Sequence, residues 1–160
     1  MDEKIKKQAQ GEGAAKEVKA TLKNMARGKE RYLHEIFEKA YNDKSYAEQL
    51  MHDPELLKIE LNGESLAEVI AVAHPSLAME KIVESDRMRD AIGYTVLAKV
   101  VSAVVEFEKS GRYSRTIIEK YPDLLYLVDS DSETDYTVAE TIAIRHPELK
   151  PLLNAKGFDF

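Results

Sequence analysis

The densest group of side chains able to do chemistry lies at residues 129–140. Asp129, Asp131, Glu133 and Asp135 alternate there with hydroxyl residues, and Glu140 closes the run. Counted from Asp129, oxygen donors stand at the first, third, fifth and ninth positions and a glutamate at the twelfth. That is the ligand spacing with which a twelve-residue loop wraps calcium. Asp129, Asp131, Glu133 and Glu140 would be the ligating carboxylates. Thr134 occupies the sixth position, where the sharp turn of such a loop needs glycine. The same residues also have a metal-free reading. Thr137 can N-cap a helix, and Glu140, three residues on, can complete a capping box. Ser65 and Glu68 repeat that spacing with no acidic loop in front of it, which favours the capping reading.

Other constellations are thinner. Gly63-Glu64-Ser65-Leu66-Ala67 has the outline of a nucleophile elbow, with residues 56–61 as the strand before it. An elbow needs a strained strand-to-helix turn and a triad within a larger α/β sheet. Thr137 takes the slot of Ser65 in a related stretch, so Ser65 reads as a helix cap. His34 lies in line with Glu30 and Glu38 at helical spacing. The Glu-x-x-His spacing of di-iron bundles is missing, so these residues read as solvated i,i+4 pairs. His74 and His146 fall at equivalent helix ends, where partial positive charge suits the helix dipole. No catalytic residue, metal ligand or cofactor site is assigned.

The elements that must position these residues are short helices. Residues 1–14 are polar and interrupted by Gly11 and Gly13, and are expected to fray. From there Ala15, Val18, Leu22 and Met25 follow helical spacing, and Gly28 weakens the continuation by about 1 kcal/mol. Tyr32, Leu33, Ile36, Phe37, Ala40 and Tyr41 line a second helix, and Asp43 can cap a third that carries Tyr46, Ala47, Leu50 and Met51. Residues 95–109 contain a β-branched run that a strand would also accept. The length, a cap at Thr95 and a stop before Gly111 favour helix.

Beyond residue 52 the chain repeats itself. Asp53-Pro54-Glu55-Leu56, His74-Pro75-Ser76-Leu77, Tyr121-Pro122-Asp123-Leu124 and His146-Pro147-Glu148-Leu149 share one pattern. Proline suits the first position of a helix and disfavours helix just before it. Glu55, Asp123 and Glu148 then sit beside a positive helix end. Ser65, Thr95 and Thr137 would cap the more apolar helix that follows each of the first three. The strings Ala67–Leu77 and Ala139–Leu149 match best, as A-x-x-I-A-x-x-H-P-x-L. In them the chain resembles the short α-helical repeat families of the leucine-rich-variant or HEAT-like kind, across residues 53–153. The resemblance implies a stacked all-helical fold and a binding or scaffolding role, and it carries over no catalytic residue.

Composition narrows the function classes further. The 160 residues are 44% hydrophobic and contain no cysteine. One globular domain fits that length, and disulfides, thiolate nucleophiles and iron–sulfur ligation are excluded. No apolar run reaches the ~18 residues of a membrane span, and no signal-peptide core opens the chain, so a cytoplasmic protein without a membrane partner is expected. The net charge of −6 is uneven. Residues 1–31 hold nine basic and five acidic groups, a net of +4, and the other 14 basic and 24 acidic groups leave −10. So acidic a body repels phosphate backbones and disfavours nucleic acid.

The expectation is an all-α fold. Imperfect stacked short helical repeats in residues 29–160 follow a basic arm at residues 1–28, partly disordered or helical. The expected role is a non-catalytic protein-interaction or scaffold module. The alternatives are a calcium-responsive binder through residues 129–140 and a small enzyme whose site is scattered along the chain. The stripe Ala15, Val18, Leu22 and Met25 offers a helix for homo-oligomer contact.

Overall fold

Glu, Lys, Gln and Ala dominate residues 3–24, and all are good helix formers. In a computed structural model, which describes residues 3–129 and 135–160, they form one helix, α1 (Glu3–Asn24). It runs straight through the stretch where Gly11 and Gly13 pointed to fraying. Two glycines at about 1 kcal/mol each do not outweigh their helix-forming neighbours, and Ala15 and Val18 are buried further along α1. The chain then turns through Gly28, at φ 78°, into α2 (Lys29–Asn42). Ile36, Phe37 and Ala40 form its buried face. The Asp43 carboxylate accepts from the Tyr46 N–H at 3.1 Å and starts α3 (Lys44–Leu50), on which α1 packs.

The prolines act as expected: Pro54, Pro75, Pro122 and Pro147 each open a short helical segment. Asp53 caps α4 (Pro54–Leu57) through the N–H groups of Glu55 and Leu56. A two-stranded antiparallel ribbon follows, β1 (Glu60–Leu61) and β2 (Glu64–Ser65). Asn62 and Gly63, both at positive φ, make its turn, the Asn-Gly pair that tight hairpins favour. Ser65 accepts from the Glu68 N–H and starts α5 (Leu66–Ala73). After α6 (Pro75–Ala78) come a π-helical turn at Met79–Val83 and α7 (Asp86–Ile92), capped by Ser85.

The β-branched residues 100–105 are helical. They lie in α8 (Tyr94–Phe107), where Val100, Val101, Val104 and Val105 are fully buried. Burial on that scale, about 2 kcal/mol per side chain, overrides their strand propensity. Thr95 does not cap this helix. Gly93, at φ 81°, occupies the N-cap position, and Thr95 falls inside the first turn. After α9 (Arg112–Lys120) come a 3-10 turn at Pro122–Tyr126, an isolated bridge between Val128 and Thr137, and α10 (Val138–Arg145). A 3-10 turn at Pro147–Leu149 and α11 (Lys150–Ala155) end the elements.

Two runs of chain share this succession. α2 and α8 are both 14 residues long and both start from a left-handed or positive-φ glycine. The N-caps of α5 and α10 have nearly equal dihedrals, φ −76°, ψ 156° at Ser65 and φ −69°, ψ 161° at Thr137. The C-caps agree as closely, with φ −135°, ψ 69° at His74 and φ −133°, ψ 70° at His146. Four helices pack in series: α5 packs between α2 and α8, and α8 packs between α5 and α10. The fold is all-α apart from the ribbon and the bridge, among the described residues. None of the described helices is long and apolar enough to cross a membrane.

Candidate interaction surface

The recurring histidines are fasteners between helices. His74 Nε2 lies 2.9 Å from the carbonyl oxygen of Ala40, at the far end of α2. His146 Nε2 lies 3.4 Å from the carbonyl oxygen of Val105, in the last turn of α8. A carbonyl only accepts, so each ring donates through Nε2–H. His146 is 6% exposed, and its Nδ1 is 3.6 Å from the Glu148 carboxylate. His34, by contrast, is exposed on α2. Among the described residues no three histidine, aspartate or glutamate side chains are grouped to hold a metal ion.

Ser65 and Thr137 are caps. Ser65 is 2% exposed and its Oγ accepts from the Glu68 N–H at 3.1 Å. The residues before it form α4 and a two-residue strand instead of the long strand an elbow requires. Thr137 and Glu140 form a complete capping box: Thr137 Oγ1 accepts from the Glu140 N–H, and Glu140 Oε1 accepts from the Thr137 N–H, both at 3.1 Å. The carboxylate at the twelfth position of the calcium spacing is thereby turned onto its own helix. Of the other proposed ligands, Asp129 is described, and Asp131 and Glu133 lie outside the described residues.

Displaced acidities trace to local structure. Burial pushes the Asp53 carboxyl up, but the Lys19 ammonium and the N–H groups of Leu56 and Glu55 outweigh it and hold the group below the usual carboxylate range. Lys19, 2.9 Å from Asp53 and 3.1 Å from Glu55, is raised in turn by those hydrogen bonds. The contact ties α1 to the start of α4. Glu108 follows the same logic. Burial raises it, but donation from the Ser110 hydroxyl and from the N–H groups of Ser110, Tyr113 and Gly111 outweighs burial and holds it below the usual carboxylate range. Its carboxylate thus braces the first turn of α9. Tyr46 is raised, first by burial and then by Tyr32 and Glu17.

A different region stands out by its exposed apolar side chains. A groove of about 240 Å³ runs between α8 and α10, lined by Ser102 and Glu106, by Asp129 and Tyr136, and by Thr141, Ile144 and Arg145. Glu106 and Arg145 pair across it. Ser102 Oγ is buried with no hydrogen-bond partner among the described residues. Tyr136 and Ile144 are 39% and 57% exposed. Tyr126, Phe158 and Phe160 add an aromatic ladder, with centroids 5.1 Å and 6.0 Å apart along it. Asn154 holds the end of the ladder, accepting from the Phe160 N–H at 2.9 Å and donating to its carbonyl at 3.3 Å.

Asp129 belongs to the acidic run singled out in the sequence; the motifs did not point to the other residues, yet one signal was present. Val138, Ala139, Ile142 and Ala143 set the buried phase of α10, and Ile144 is a large apolar residue outside it. Comparison of the chain with protein-family models, with curated proteins and with solved structures finds no match.

Proposed function

We propose that the chain is a non-catalytic protein-interaction or scaffold module of the helical-repeat kind, acting in the cytoplasm, with its partner surface at the α8–α10 end. The observation that carries this reading is the exposure of Tyr126, Tyr136, Ile144 and Phe160 around that end of the helical series. Large apolar side chains gathered at one place on a surface mark contact sites far more often than scattered ones do. A rigid stack of helices presents such a surface with little ordering cost on binding. The charged groups with displaced acidities support it too, because Lys19, Asp53 and Glu108 are engaged in holding elements together and none of them lines the groove.

Quantitative affinity capture from the native host tests the proposal. The wild-type chain is expected to retain a defined protein partner that is lost with Tyr136→Ala and kept with Tyr41→Ala, a more exposed tyrosine on α2. Identical captures by all three chains would refute it.

A further inference from the structure

The series α2–α5–α8–α10 has unequal ends. α5 has a long helix on each side, whereas α10 packs on one long helix, α8, and otherwise on the short segments Pro122–Tyr126, Pro147–Leu149 and α11. The consequence is visible at one pair of positions that correspond through the matching caps. Val72 on α5 is half-buried, and Ile144 on α10 is 57% exposed. The outer face of α10 is a shallow groove of about 350 Å³, lined by Glu140, Ala143, Ile144, Pro147, Lys150 and Phe160. Its centre is apolar, with an acidic group at one end and a basic group at the other.

That charge order is self-complementary. Two such faces brought together about a two-fold axis, with their α10 helices antiparallel, set Glu140 of one copy against Lys150 of the other, twice over. The exposed Ile144 side chains of the two copies then meet at the centre. A two-fold interface repeats the same patch on both subunits and requires this kind of self-matching. We infer that the outer face of α10 docks a second copy of this chain, forming an isologous dimer that continues the helical series across the axis. This rests on the interaction-module reading above and names a partner for the same end of the molecule. The stripe on α1 is not available for the purpose, because Ala15 and Val18 are buried and Leu22 packs on the chain's own core.

Sedimentation velocity on the full chain, from low micromolar to several hundred micromolar, is the test. A concentration-dependent rise from monomer to dimer is expected. Ile144→Glu should weaken it about tenfold or more by placing two carboxylates at the centre. Lys150→Glu should weaken it as well, by setting like charges opposite one another. The double variant Glu140→Lys with Lys150→Glu should recover it. Because Glu140 also caps α10, circular dichroism checks the fold of the double variant, and Lys150→Glu alone decides if the double variant fails to fold. A monomer at every concentration overturns the inference, and so does a dimer indifferent to both single substitutions. A monomeric chain that still captures a host partner through Tyr136 overturns the dimer and leaves the interaction module standing.

Discussion

His74 donates from Nε2 to the carbonyl oxygen of Ala40, 2.9 Å away and 34 residues earlier in the chain. The bond joins the C-terminal end of α5 to that of α2. His146 makes the corresponding bond to Val105 between α10 and α8. In both places the His-Pro pair does two jobs. The proline starts the next turn, and the histidine fixes the finished helix to its neighbour.

Replacing either histidine by alanine removes a hydrogen bond worth about 1 kcal/mol and leaves a carbonyl without it, so a loss of about 1–3 kcal/mol is expected at each site. His146, the more buried of the two, should cost more. Urea denaturation at neutral pH measures both. The two losses should add in the double variant, since the sites share no partner.

Gly111 starts α9 at φ 79°, and a methyl group on it would meet His146 Nδ1 at 3.1 Å and Glu148 Oε1 at 3.3 Å. Gly63 has nearly the same φ, 82°, and open space around it. Gly63→Ala should therefore cost about 1–2 kcal/mol, the left-handed penalty alone. Gly111→Ala should cost clearly more. Pairing it with His146→Ala should show coupling, because the closer of the two contacts disappears with the ring.

The acid limb of stability should depend on Asp53. Its carboxyl is held below the usual range in the folded chain. A group depressed in this way contributes stability fully above its unfolded pKa of about 3.9 and loses it as pH falls through the lower folded value. Asp53→Asn keeps a capping side chain and removes the titration. Urea midpoints between pH 2 and pH 5 should fall less steeply for Asp53→Asn than for the wild-type chain.

Calcium should not raise the melting temperature. Glu140 accepts from the Thr137 N–H, and a ligand stabilises a fold only by binding it better than the unfolded chain. Thr137→Ala should cost about 1 kcal/mol through loss of the cap. A calcium-dependent rise in melting temperature would show that the carboxylates of residues 129–140 act together on the ion after all.

Much of this architecture could be read from residue types. Pro54, Pro75, Pro122 and Pro147 have one mechanical use, so their segments were legible. The caps at Asp43, Ser65 and Thr137 were legible for the same reason, since a hydroxyl or carboxylate before an apolar helix satisfies its free N–H groups. Thr95 misled because it precedes an apolar run just as Thr137 does. Its role is taken by Gly93, whose positive φ is a backbone property that residue spacing does not reveal. The correspondence of α2 with α8 was hidden as well. It lies in equal length, glycine starts and carbonyl positions, and Ala40 and Val105 share a role that their backbone oxygens perform. The exposed surface was the least legible part. Tyr136, Ile144 and Phe160 are far apart in sequence or out of phase, and only the end of a helical series brings them to one place.

The partner surface at the α8–α10 end is the central claim, and site-specific photocrosslinking in the native host tests it most directly. A photoreactive phenylalanine analogue at position 136 should give adducts of defined mass with a protein partner, while the same group at position 41 gives none. Absence of adducts at position 136, or the same adducts from both positions, would contradict the account.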